Sequence, residues 1–218
     1  MEPVYADAAC TRLLLSNTIF KGVRAMIEFF QIVESSGFSM SLKESSTAYV
    51  AILAFHTIGL SFLVGISGTT ALRILGIAPS IPLKPMKDFF PLMWVGLWVN
   101  AITGVLLTLM YPTKYFVDLS FYIKLGFVVI AITLIRKIQV LVFGDGADSD
   151  TTAESKDARK LAGILLFSWL AAIVTGRVMA YSIPTKAQTA IAVLIFLTLA
   201  LFIGRVIGRR LGLIETAV

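Results

Sequence analysis

Of the ionisable side chains within the long apolar stretches, three stand out: His56 in STAYVAILAFHTIGLSFLVGISGTTALRIL (46–75), Lys124 in the run that begins LSFYIKLGFVV at residue 119, and Arg177 in the run over 161–182. Placing such groups in hydrocarbon costs several kcal/mol unless they are paired or solvated, so each one marks a candidate site. Counting 1.5 Å per residue from Thr47, His56 falls roughly 14 Å deep, while Lys124 and Arg177 each fall about 8 Å from the outer ends of their stretches. If the helices turn these faces inward, the three define a basic cavity open to the periplasm. Asn100, Thr103, Tyr122 and Tyr181 lie at similar depths, and an anion or a ligand with an acidic edge would suit the cavity. Other roles fit the same residues. Lys124 and Arg177 are shallow enough to lay their stems along lipid and reach the headgroups. His56 can be a neutral packing residue donating to a backbone carbonyl or to Asn100. Its neighbours Ser61, Gly65 and Thr69 recur every four residues, a small-residue face that would let a second helix approach.

Composition supplies the setting. The 218 residues are 57% hydrophobic and 15% charged, with a mean hydropathy of +0.88. That is more apolar surface than one soluble core uses, and it predicts an all-α integral membrane protein. About 20 apolar residues make one crossing. Five such stretches are present, at about 46–75, 89–110, 119–142, 161–182 and 187–207, forming one five-helix transmembrane bundle over 46–208. Before them, the first twelve residues carry acidic side chains where a signal peptide has basic ones, so no cleaved leader is expected. Over 14–35 the residues Leu15, Ile19, Val23, Met26, Phe30 and Val33 recur at helical spacing, opposite Asn17, Lys21, Arg24, Glu28 and Gln31. This predicts an amphipathic helix lying in the membrane interface or docked on the bundle, within an N-terminal segment 1–45. The segment 143–160 is the one hydrophilic loop between spans, read as a solvated acidic linker, and 209–218 form a tail.

Orientation follows from the basic residues. Arg73, Lys84, Lys87, Arg136, Lys137, Lys156, Arg159, Lys160, Arg205, Arg209 and Arg210 collect on one side, and Arg12, Lys21, Arg24, Lys43, Lys114 and Lys186 on the other. The positive-inside rule puts the first set in the cytoplasm of a bacterial inner-membrane protein, with the N-terminus periplasmic and the C-terminus cytoplasmic. The net charge of +6 is thereby explained by topology and headgroup contact, and nucleic-acid binding is not expected.

The run AFHTIGLSFLVGISGTTALRILG, a proline-bearing loop, then AITGVLL and SFYIKLGFVVIA together resemble an uncharacterised family of bacterial multi-pass membrane proteins, known mainly as a domain of unknown function. The residues that carry the resemblance are His56, Leu72 with Arg73, Thr103 with Gly104, and Phe121 with Lys124, the last spacing being longer by one than the family's. The resemblance covers about residues 45–140. More remotely, the histidine-bearing span is similar to those of the copper-resistance D and cytochrome b561-like proteins, without the paired histidines that ligate haem in the latter.

Three functional readings follow. The preferred one is a non-enzymatic membrane subunit or binding protein whose basic pocket holds a lipid, a quinone or part of a partner. In a second, His56 ligates a b-type haem, Lys124 and Arg177 hold its propionates, and Met179, another methionine or His56 of a second protomer completes the axial pair. In a third, His56 with Met26, Met40, Met110 or Met179 binds copper(I), which thioethers favour. No span contains Asp or Glu, and GxxxxGK[ST], GxSxG and HExxH do not occur. A carboxylate mechanism would have to use loop residues. Membrane lipids, a homo-oligomer or a larger membrane complex are the expected partners.

Overall fold

The computed structural model describes residues 21–77, 79–144, 148–179, 181, 184–185, 188–189, 191–196, 198–199 and 202. The described chain is helical, with no strand. Residues 21–34 form α1, followed by α2 (Gly37–Glu44), α3 (Ser46–Ile74), a 3-10 turn over Lys84–Phe89, α4 (Phe90–Met110), α5 (Pro112–Val117), α6 (Leu119–Phe143), α7 (Ser149–Ala153) and α8 (Lys156–Val178). Among the described residues four helical stretches are long and apolar enough to cross a membrane: Ser46–Ile74, Lys84–Met110, Leu119–Phe143 and Lys156–Val178. Much of the predicted fifth span, 187–207, lies outside the described residues, as do 14–20 of the predicted N-terminal helix and the tail.

Helix ends follow side-chain capping more closely than they follow hydropathy. Ser45 accepts from the Ala48 amide at 3.2 Å and starts α3, and Asp118 accepts from Ser120 to start α6. Ser155 accepts from Ala158 at 3.2 Å and starts α8 at Lys156, five residues before the apolar run expected from 161. An N-cap serine satisfies one of the orphan amides of a first turn, so the polar sequence KDARK is helical although it is not apolar. At the other end of α3, Gly76 takes φ +90°. The Ile77 amide then reaches Leu72 O and the Gly76 amide reaches Arg73 O, each at 3.0 Å, the paired bonds of a Schellman motif.

The chain divides into two compact units, Met1–Phe55 with Ile102–Val117, and His56–Ala101 with Asp118–Val218. In the first unit, buried Ser39 directs its hydroxyl to the carbonyls of Leu109 and Met110, at 3.3 and 3.4 Å, and so satisfies the end of α4. Glu34 accepts from the Thr113 hydroxyl and pairs with Lys43 at 3.3 Å. Phe30 stacks on Phe116 with ring centroids 4.6 Å apart.

In the second unit α6 packs along α8, burying Ala131, Leu134, Ile135 and Ile138 against a face that carries Ala158, Ala162, Leu165, Trp169 and Ala172. Alanines let the backbones approach, which is how helices gain dispersion contact when lipid removes the hydrophobic incentive to associate. The buried Trp169 indole donates to Ser67 Oγ at 3.0 Å, and Ser67 donates onward to Leu63 O, so no polar atom on this seam is left without a partner. Elsewhere the spans leave large apolar side chains uncovered, among them Trp98, Val129, Val140 and Phe167. Hydrocarbon accommodates such a surface and water does not.

One end of the second unit is tied by polar contacts. Arg73 pairs with Asp150 at 3.0 Å and donates to Ile81 O. Asp150 also accepts from the Leu83 amide at 3.4 Å, and Lys87 donates to Phe143 O, the C-terminal end of α6, at 3.3 Å. These contacts bring the exit of α3, the proline-bearing loop, the exit of α6 and the entry to α8 to a common end. Alternating crossings require that arrangement. The acidic segment is therefore not purely a solvated linker, because Asp150 docks it on Arg73 and Ala153 is buried.

Candidate functional site

The close crossing of α3 and α4 within the second unit is set by two glycines. A Cβ on Gly59 would lie 2.7 Å from both the Asn100 nitrogen and the Gly96 oxygen, and one on Gly96 would lie 2.8 Å from Phe62 Cβ and 2.9 Å from Gly59 O. Only the missing side chains allow the two backbones this near. The contact brings His56, one turn before Gly59, against Asn100, one turn after Gly96. His56 Nδ1 lies 3.1 Å from the Asn100 carbonyl oxygen, and Asn100 Nδ2 donates to His56 O at 2.8 Å. Asn100 Nδ2 also lies 3.3 Å from Nδ1, so this ring nitrogen donates to the carbonyl in one tautomer and accepts from the amide in the other. In either tautomer the two residues bond across the crossing, which is the packing role open to His56 from the sequence.

The small-residue face expected at Ser61, Gly65 and Thr69 does not make this contact. All three are exposed, and nothing described comes within 4 Å of a Cβ built on Gly65. At 100° per residue Ser61 lies 200° round the helix from Gly59, so one small-residue face turns inward and the other outward. Both faces were written in the sequence. What separates them is that Gly59 recurs in register with the buried Ile52, Leu63, Ser67, Thr70 and Ile74, whereas Gly65 does not.

Lys124 joins the same neighbourhood from α6. Its stem and ammonium lie across Gly176 of α8, where a Cβ would meet Cδ, Cε and Nζ at 3.3, 3.4 and 3.5 Å. The ammonium is close enough to His56 for the two to interact electrostatically. Gly176 stands in the last turn of α8, whose unsatisfied carbonyls present partial negative charge, and that partly compensates the cation. No carboxylate pairs with it among the described residues. Gly176 was not singled out from the sequence. Its signal, a glycine next to the charged residue of a span, becomes informative only when the facing helix is known.

The remaining predicted site residues separate from this cluster. Arg177 is exposed, and α8 ends at Val178, which puts the guanidinium in the final helical turn. A cation there favours the helix terminus and the surrounding medium, in keeping with the snorkelling role. Tyr122 and Tyr181 are exposed, and buried Thr103 belongs to the first unit. Of the proposed soft ligands, Met26 and Met40 are exposed, Met110 is fully buried and Met179 is half-buried. No group of three or more His, Cys, Asp or Glu residues is arranged to hold a metal among the described residues.

The fold and the cluster together define a helical chain with at least four helices suited to a membrane and a polar crossing point, His56–Asn100–Lys124, within one unit. No protein-family model, curated protein or solved structure matches the chain, so the resemblances to a multi-pass family of unknown function, to copper-resistance D and to cytochrome b561-like proteins gain no support from these comparisons.

Proposed function

We propose that the chain is an integral inner-membrane binding protein or accessory subunit, N-terminus outside, whose intramembrane site takes an apolar ligand bearing a hydrogen-bond acceptor or negative charge. A lipid, a quinone or a partner's segment has that chemistry. The observation that carries this reading is the inward Lys124, half-buried over Gly176, near His56 and without a carboxylate partner among the described residues. A cation retained at that depth is costly unless something compensates it. The helix terminus does so in part, and a ligand's acceptor would complete it. Arg177, once grouped with Lys124, is here a peripheral cation. The reading is non-enzymatic, because it asks the cluster only to bind.

The test is quantitative lipid and quinone analysis of gently purified protein. Lys124→Met should lose about tenfold in retained ligand, the scale of one hydrogen bond to a charged group, while Arg177→Met should lose little. Equal retention in wild type and both variants would overturn the reading. The haem alternative needs the tautomer with its proton on Nδ1, in which the Asn100 carbonyl 3.1 Å away would orient Nε2 as in ligating imidazoles. A reduced-minus-oxidised absorption band that disappears in His56→Ala would select it.

A further inference from the structure

The first unit contains an open cavity of about 450 Å³, lined by Ile27, Gln31, Glu34 and Ser35 of the α1 end, Met40 and Lys43 of α2, and Thr113 of α5. Its size is in the range of small-ligand sites. The wall carries one cation and one anion side by side, Lys43 Nζ and Glu34 Oε1 being 3.3 Å apart. Each is also held in place. Lys43 donates to Glu34 O at 3.2 Å and lies 4.8 Å over the Tyr111 ring, and Glu34 accepts from the Thr113 hydroxyl. The same two helices, α1 and α2, also carry the exposed apolar side chains Met26, Phe29, Ile32 and Phe38.

Two features of this unit suit a bilayer interface. The unit includes the first residues of α3 and the last of α4, the ends of two helices apolar enough to cross a membrane. Tyr49 and Tyr111 each lie near enough to Tyr115 to act on it electrostatically, and tyrosine concentrates at membrane interfaces because its ring is apolar and its hydroxyl is wet.

We propose that this cavity binds the headgroup of a zwitterionic, amine-bearing phospholipid, phosphate toward Lys43 and ammonium toward Glu34, with its chains along the exposed apolar fringe. A purely anionic headgroup would have to separate Lys43 from Glu34 and then lie beside an unpaired carboxylate. A zwitterion exchanges one ion pair for two without changing the net charge, so the paired wall discriminates between lipids of equal size. The inference rests on α3 and α4 crossing the bilayer and not on the Lys124 site.

The probes are phosphatidylethanolamine and phosphatidylglycerol of equal chain length, added in competition to the delipidated full-length protein and counted by native mass spectrometry. Phosphatidylethanolamine should be retained about tenfold over phosphatidylglycerol, as expected for one additional charge-assisted hydrogen bond. Glu34→Gln should abolish that preference, the exchange Glu34→Lys with Lys43→Glu should restore it, and Lys124→Met should leave it unchanged. Restoration by the exchange separates recognition from folding, since a merely misfolded unit would not regain selectivity. Soluble phosphoethanolamine distinguishes the source of the zwitterion: displacement of bound lipid by it at similar concentration would support the cavity's chemistry and assign a soluble occupant, whereas its failure would assign the lipid. Equal retention of the two lipids by wild type, or a preference that survives Glu34→Gln, would overturn the proposal.

Discussion

Among single residues, Glu34 has the best-defined electrostatic setting outside the spans. The Thr113 hydroxyl, first, and then Lys43 hold its carboxyl below the ordinary value of 4.5, against the opposing effect of burial. A group whose folded pKa is depressed contributes stability above its unfolded pKa and loses it as pH falls through the folded one. The clasp that joins α1, α2 and α5 should therefore hold at neutral pH, weaken below about 4.5 and be gone beneath the lowered folded value. Thermal midpoints measured from pH 7 down to pH 3 should fall more steeply in wild type than in Glu34→Gln, which cannot titrate. Superimposable profiles would show that the clasp contributes nothing. The sequence suggested none of this, because Glu34 and Thr113 are 79 residues apart and Glu34 is an ordinary residue in its own helix.

At the scale of elements, the two glycines of α3 give opposite expectations. Gly59→Ala drives a methyl into the backbone of α4, which cannot move aside as a side chain would, and should cost on the order of 2 kcal/mol or more. Gly65→Ala meets open space and should be neutral or gain up to about 1 kcal/mol from helix propensity. Resistance of the purified variants to unfolding in graded SDS checks both, and similar losses at the two positions would mean that α3 is rotated differently. The helices themselves were legible, because length, apolar content and caps such as Ser45 and Ser155 act locally. Helix α8 begins five residues before the apolar run, because the Ser155 cap, and not hydropathy, sets its first turn.

For the whole molecule, the Arg73–Asp150 pair and the Lys87–Phe143 contact put the proline-bearing loop and α7 at a common end, while α4 runs away from that end and finishes at Met110. With Cys10 replaced, Ser80→Cys and Ser149→Cys should both react with a membrane-impermeant maleimide only after the cytoplasmic face is opened. Lys114→Cys should react from outside in intact cells. Labelling of positions 80 and 114 from the same side would refute the crossing of α4, and reversed sides for all three would invert the orientation taken from the basic residues.

The sequence by itself determined the helical class, the places where the chain is apolar for long enough to cross a membrane, and the short list containing His56, Asn100 and Lys124. These depend on composition over one continuous segment, and a backbone in hydrocarbon must bond within its own helix. Tertiary structure decided which side of each helix turns inward. It chose Gly59 over Gly65, set Lys124 apart from Arg177 and paired His56 with Asn100. Rotation about a helix axis leaves that helix's own hydrogen bonds unchanged, so only contact with a neighbouring helix can select it.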